Sequence, residues 1–154
     1  MRVGIAGYGV VGKTRHISIE KNTPFQIIAV SESNKETQKD IPAGIEIFDN
    51  YQDLIADAEL DIIFISLPNK FAAGATSLSL QKGLHVFCEK PPAKTLSELI
   101  NVQNILSKHP SLKLMYGFNH RFHLSVEEAK SIINKNTFGK IINMKGVYGK
   151  SQMI

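Results

Sequence analysis

The chain has one cysteine in 154 residues, Cys88, so no disulfide can form within it. That excludes the disulfide-stapled class of small secreted domains and makes the cytoplasm the expected compartment. No uninterrupted apolar run approaches the roughly 18 residues needed to span a bilayer, so no membrane partner is expected. The chain opens directly on a strand-like run, and no leader peptide is expected. Internal repeats and low-complexity tracts are missing. Metal-ligand spacing is missing too. His120 and His123 lie three apart with Cys88 elsewhere, short of the three or four ligands a bound ion needs, so no metal is expected. Dense basic clusters are also lacking, although the net charge is +4. Residues 1–107 carry 10 Lys/Arg against 12 Asp/Glu, whereas residues 108–154 carry 8 against 2. The lysines at 130, 135, 140, 145 and 150 are evenly spread. They read as a solvated face, or one that meets an acidic partner or anionic substrate, and no nucleic acid is expected.

What the chain does have is an ordinary globular content of apolar residues, 43%, in a length that suffices for one domain with a real core. The organising stretch is Gly7-Tyr8-Gly9-Val10-Val11-Gly12. An apolar run, Arg2–Ala6, precedes it, and a helix-compatible segment follows from Lys13. In such a turn the first glycine permits a tight exit from the strand. The second lets a pyrophosphate approach the backbone, and the third lets the helix pack closely. The helix N-terminus offers free N–H groups and partial positive charge to phosphates. A second strand-like run, Phe25–Val30, ends at Ser31-Glu32, 20 residues after Gly12. An acid there accepts the hydroxyls of an adenosine ribose.

The remaining pattern alternates strand and helix, which predicts a Rossmann-type doubly wound α/β fold with a parallel sheet covered on both faces. Residues 33–44 read as a loop with at most a short helix, and Ile45–Phe48 as a brief third strand. Asn50 can cap a short helix containing Leu54 and Ile55. Asp61–Ser66 is a continuous apolar run suited to a central parallel strand, ended by Leu67-Pro68-Asn69. A helix is predicted from about Phe71 to Lys82, then a strand over His85–Cys88 followed at once by Glu89-Lys90-Pro91-Pro92. Thr95-Leu96-Ser97-Glu98 is a capping box for a helix expected to turn Leu99, Ile100, Val102, Ile105 and Leu106 inward. Leu112–Gly117 reads as a sixth strand, and Ser125–Glu128 as a second capping box for a helix to about Asn134. Lys140–Tyr148 alternates apolar and polar residues. That pattern predicts a strand of a different, open and antiparallel sheet, paired with another copy or partly disordered.

Ligands of open α/β sheets sit at the carboxyl ends of the strands. The glycine turn, Leu67-Pro68-Asn69 and Glu89-Lys90-Pro91-Pro92 therefore converge on one crevice. Lys90 could orient a substrate hydroxyl and act as a general base, or be a surface lysine at a strand exit; position alone leaves both open. Cys88 reads as buried filler and His16 as helix packing, while Arg121 fits either a substrate anion or a structural ion pair.

Glu89-Lys90-Pro91, the glycine turn and Leu67-Pro68-Asn69 closely resemble the glucose–fructose oxidoreductase / inositol dehydrogenase / rhizopine-catabolism family. Phe118-Asn119-His120-Arg121-Phe122 resembles the family segment after the sixth strand, and Phe138–Ile141 the entry to a C-terminal domain. The resemblance implies an NAD- or NADP-dependent oxidoreductase acting on a sugar, cyclitol or related polyol, a homo-oligomer at full length. It implies a nucleotide-binding domain over residues 1–120 and the start of a truncated α+β substrate domain over 121–154. It gives Lys90 the catalytic role. The cofactor set it implies, joined to the reading of the turn, is Gly7, Tyr8, Gly9, Val10, Val11, Gly12, Glu32, Ser33, Leu67, Pro68, Asn69, Glu89 and Lys90. Two departures stand out: Ala72 replaces a histidine that many relatives carry, and the Asp/His pair that works with the lysine has no equivalent in residues 1–154. The chain by itself is thus expected to bind cofactor better than it turns over substrate.

NAD is the expected cofactor, because Glu32 would repel a ribose 2′-phosphate. At about 5 Å and an effective dielectric near 20, like charges cost roughly 3 kcal/mol. NADP stays open through Ser33, Asn34 and Lys35, which could reach a phosphate if Glu32 turned away. The alternative from another class is a non-catalytic dinucleotide-binding regulatory or scaffold module, which would keep the turn and Glu32 without needing Lys90.

Overall fold

The computed structural model describes residues 1–147 and Gly149. The chain divides into two compact units, Met1–Phe118 and Asn119–Ile154.

The first unit is a six-stranded, wholly parallel sheet. Its strands are β1 (Arg2–Ala6), β2 (Gln26–Ser31), β3 (Glu46–Phe48), β4 (Ile62–Ile65), β5 (His85–Cys88) and β6 (Leu114–Tyr116), in the spatial order β3-β2-β1-β4-β5-β6. The order reverses between β1 and β4. The chain winds outward one way from β1 and the other way from β4, and the crevice opens at that switch point. Helices α1 (Val10–Asn22), α2 (Lys35–Gln38), α3 (Tyr51–Asp57), α4 (Asn69–Gln81) and α5 (Leu96–Ser107) make the connections.

The continuous apolar strands follow from having both faces covered, with successive side chains pointing to opposite sides. On one face Ala6, Ala29, Ile63, Ile65, Val86 and Cys88 join Leu54, Ile55, Leu80 and Val102 of α3, α4 and α5. On the other, Val3, Ile5 and Val30 pack with Tyr8 and with Ile19 of α1. The small residues of α4, with Ala72, Ala75, Thr76 and Ser79 all buried, let that helix lie close to the sheet. Caps fall where short polar side chains permit them. Asn50 accepts from Asp53 N, and Thr95 with Glu98 forms the full capping box of α5.

Four expectations are corrected. Helix α4 starts at Asn69 instead of Phe71, because Pro68 serves as its N-cap residue and its carbonyl accepts from Phe71 N at 2.9 Å. Ile100 of α5 faces outward, 47% exposed; the helix turns Val102 fully inward and leaves Ile105 and Leu106 half-buried. In the second unit, α6 (Leu124–Asn134) has His123 as its N-cap residue and no side-chain cap. Ser125 lies inside its first turn, so the second capping box does not form. Residues 141–147 adopt no regular element among the described residues, and Tyr148 lies outside them. An isolated alternating segment has no ladder to satisfy its backbone groups, so pattern alone does not make it a strand.

Leu80 is fully buried, whereas Ile100 is not. Leu80→Ala should cost about 2–5 kcal/mol, and Ile100→Ala should stay within about 0.5 kcal/mol of the unsubstituted chain. Urea denaturation of both variants checks this. A loss at Ile100 as large as that at Leu80 would contradict the packing of α5.

Candidate functional site

The glycine turn is shaped by two close approaches. Gly7 has φ +88°, and a Cβ on it would sit 2.8 Å from the carbonyl oxygen of Ser66. A Cβ on Gly12 would sit 2.1 Å from the carbonyl oxygen of Gly7, so only glycine lets α1 start this near β1. Gly9 differs: its φ is −66°, and a Cβ on it would meet nothing within 4 Å. The space in front of Gly9 is open crevice. Gly9 is also the N-cap residue of α1 and offers no side-chain oxygen to the helix. The first N–H groups of α1 thus have no side-chain cap and point outward. Val10 and Val11 expose their side chains beside them.

Tyr8 turns inward. Its ring is buried, and its hydroxyl lies 2.8 Å from Nδ1 of His16. Burial raises the Tyr8 phenol above its ordinary range, helped by the charges of Glu20 and Asp40. The backbone of Tyr8, and not its ring, faces the site. Its N–H donates to Oε2 of Glu32 at 3.0 Å, while Oε1 of Glu32 accepts from Asn34 N at 2.9 Å. Glu32 N donates to the carbonyl of Phe48 at 2.9 Å, which fixes the backbone that carries it. Two backbone donors therefore hold the carboxylate against the turn, and each oxygen keeps a lone pair for a ligand hydroxyl.

A cleft of about 720 Å³ opens at the switch point. It takes in Gly7, Gly9, Glu32, Ser33, Leu67 and Pro68 of the predicted set. Reading the sequence missed its far wall, Asp49, Asn50 and Tyr51 at the exit of β3, with Phe71 of α4. The cap signal at Asn50 was visible; that β3 ends at the same crevice was not. The Tyr51 and Phe71 rings lie 6.1 Å apart. With Leu67 and Pro68 they give the cleft an apolar lining beside the acids Glu32 and Asp49, the combination that a base and a ribose require.

Asn69 opens α4 beside the cleft without lining it, and Glu89 and Lys90 sit at the exit of β5. Glu89 is engaged. Its Oε1 accepts from Nε of Arg15 at 2.6 Å and forms a second short contact with Nη2. The Arg15 guanidinium also lies over the Phe87 ring, 4.9 Å from its centroid, and Phe87 stacks on Phe64. A Cβ on Gly117 would be 2.8 Å from Oε2 of Glu89, so the carboxylate is wedged between α1 and the end of β6. Lys90 is exposed and, among the described residues, has no ion-pair partner; its peptide bond to Pro91 is cis. No group of three His, Cys, Asp or Glu side chains among the described residues is placed to hold a metal ion. No described helix is long and apolar enough to cross a membrane.

A parallel sheet with this order, a glycine turn at its switch point and an acid held on that turn define a dinucleotide-binding Rossmann domain. Residues 1–118 match the GFO_IDH_MocA oxidoreductase family, NAD-binding Rossmann fold, and the chain belongs to that family. It is 27% identical over 145 residues to D-glucoside 3-dehydrogenase of Escherichia coli, covering 92% of this chain and 41% of that protein. It is 27% identical over 160 residues to inositol 2-dehydrogenase of Salmonella typhimurium, covering 95% and 45%. Among solved structures, it is similar to scyllo-inositol dehydrogenase of Lactobacillus casei with bound NAD(H) and scyllo-inositol, with a TM-score of 0.82 and 26% identity, covering 90% and 42%. Myo-inositol 2-dehydrogenase of Lactobacillus plantarum gives 0.81 and 30%, covering 92% and 43%. The chain spans about two-fifths of the length of such relatives.

Behind the site, burial pushes the Cys88 thiol up to about 11 and the Tyr116 phenol up to about 12, from ordinary values of 9.0 and 10.0. Both acids keep their protons to higher pH when folded, so unfolding releases protons in this range. Stability is therefore full below about pH 8.5 and should fall as pH rises toward 11. Urea midpoints measured across that window should decline, and Cys88→Ala should flatten the first part of the decline. An unchanged slope in the variant would remove Cys88 from the effect.

The Arg15–Glu89 contact joins residues 74 apart in a part-buried setting. A double-mutant cycle with Arg15→Ala and Glu89→Ala should show a coupling of about 1–2 kcal/mol. Additive losses would mean that the pair does not tie α1 to the β5 exit.

Proposed function

We propose that this chain is the cofactor-binding part of an NAD-dependent oxidoreductase that moves hydride between nicotinamide and a hydroxyl of a sugar, cyclitol or sugar derivative. The observation that carries the reading is the Glu32 carboxylate held on Tyr8 N, at the edge of the open space before Gly9. The residues fit the dinucleotide. The uncapped start of α1 would receive the pyrophosphate, Glu32 the adenosine ribose hydroxyls, and the wall of Leu67, Pro68, Tyr51 and Phe71 the base. NAD is the proposed preference over NADP, supported by the two backbone donors, Tyr8 N and Asn34 N, that hold Glu32 on the turn. When bound, NAD supplies the hydride acceptor.

Lys90 is proposed as the catalytic residue. It would orient the reacting hydroxyl and take or return its proton; Arg15 and Glu89 hold the strand exit from which it projects. Glu89, Asn69, Ser33, Val10, Val11 and the backbone of Tyr8 and Gly12 would complete the cofactor's surroundings. Residues 1–120 form the nucleotide-binding domain in this reading, and 121–154 begin a substrate domain. The sugar and inositol dehydrogenases among its relatives support that substrate class. The whole protein is proposed to work in the cytoplasm as a homo-oligomer, without nucleic acid.

Gly9→Val separates binding from folding, because its Cβ enters open crevice at an ordinary φ. The melting temperature should hold, while calorimetric NAD affinity should fall by about 10- to 100-fold, the equivalent of a 1–3 kcal/mol clash. Undiminished NAD binding in a folded variant would refute the placement of the pyrophosphate.

A further inference from the structure

Lys35 follows three residues after Glu32, the acid that would take the ribose hydroxyls, and does not itself line the cleft. Its ammonium is bonded to Oδ1 of Asp49, at the exit of β3. The same Oδ1 accepts from Nε2 of Gln38 at 3.0 Å, and Nε2 of Gln38 also donates to the carbonyl oxygen of Glu32 at 2.5 Å. Asp49 itself lines the cleft with Glu32 and Ser33. Among the described residues, Lys35 is the one cation in a salt bridge to a cleft-lining side chain. Glu32, Asp49 and Lys35 leave this corner with one net negative charge; without Asp49 it would be neutral. The hydrogen bonds from Lys35 and Gln38 hold the Asp49 carboxyl below its ordinary range, so it is ionised at neutral pH.

We propose that Asp49 is a specificity-determining residue: it engages Lys35 and, together with Glu32, keeps the 2′-corner negative, so that a dinucleotide carrying a 2′-phosphate is rejected. The inference rests on the reading that the cleft takes the adenosine end of the dinucleotide. Glu32 accounts for the recognition of two ribose hydroxyls. It does not account for Lys35, a cation three residues further on whose ammonium is tied to a cleft-lining acid. Asp49 does, by cancelling its charge and fixing its direction. The pair is largely exposed, with 68% and 67% of the side chains accessible. It is weak as a stabilising contact, and its removal should leave the fold intact.

The test is calorimetric titration of the full chain with NAD and with NADP, for the unsubstituted protein, Asp49→Asn, Lys35→Ala and the double variant. In Asp49→Asn the ratio of NADP to NAD affinity should rise at least about fivefold. The double variant should lose that gain, because the freed ammonium is what the 2′-phosphate meets. An unchanged ratio in Asp49→Asn would overturn the proposal, and so would a gain that survives the loss of Lys35. If the unsubstituted chain binds NAD but the ratio does not move, the inference fails alone. If the unsubstituted chain binds neither dinucleotide, the reading of the cleft fails and the inference falls with it.

Discussion

The approach of Gly12 to the carbonyl of Gly7 is the constraint on which the rest of the first unit depends. With 2.1 Å between a notional Cβ and a backbone oxygen, no side chain is tolerated. The helix therefore begins almost on top of the strand that precedes it. That nearness brings the N-terminus of α1 to the switch point between β1 and β4, where the sheet itself leaves a crevice. It also presents Tyr8 N to the end of β2, where Glu32 takes it. A wider turn would move the donor away from the acid and leave both to water. The proposed phosphate and ribose sites are thus parts of one backbone arrangement.

Electrostatic order at the carboxyl edge of the sheet follows from two acids held in different ways. Glu32 is bonded by backbone donors and stays open to a ligand. Glu89 is bonded by a guanidinium from α1 and closed off by the end of β6. The first is the proposed recognition group and the second a brace. Arg15 serves that brace from the helix that starts at the glycine turn, lying over Phe87 as it does so. The strand exit carrying Lys90 is therefore fixed to the element that would hold the phosphates.

Much of this was legible in the sequence where a local rule decides. The strands β1, β4 and β5 are continuous apolar runs because both faces are covered, and such runs show in any window. The turn, the Asn50 cap and the Thr95–Glu98 box are short-range patterns with a single physical meaning. Long-range pairing was not legible. Arg15 meets Glu89 across 74 residues, and Lys35 meets Asp49 from a different connection; neither spacing carries a signal. Tyr8 sits in the phosphate motif yet points to His16, because a buried ring with a hydroxyl partner on α1 is more stable than one in the crevice. At Ser125 the capping residue type falls two positions late, since His123 is the N-cap residue and α6 begins at Leu124. The Lys140–Tyr148 alternation shows why period alone is insufficient: a strand exists through its neighbour.

The contrast between Glu89 and Lys90 gives the last step. Adjacent opposite charges at a strand exit would ordinarily pair with each other or share water. Here Arg15 takes the carboxylate, its Nε and Nη2 converging on the one oxygen Oε1 in a part-buried setting, where a charge-assisted contact from a planar guanidinium holds better than one from a flexible ammonium. Lys90 is left without a counter-ion among the described residues. A side chain already bound into an internal ion pair must break it before it can reach a ligand, and Lys90 has none to break. Lys35 shows the opposite condition, its ammonium fixed on Asp49 at the far end of the crevice. The same residue type is thus restrained by Asp49 at the β3 exit and left without an ion pair at the β5 exit among the described residues. The difference comes from which acids the fold brings within reach of each.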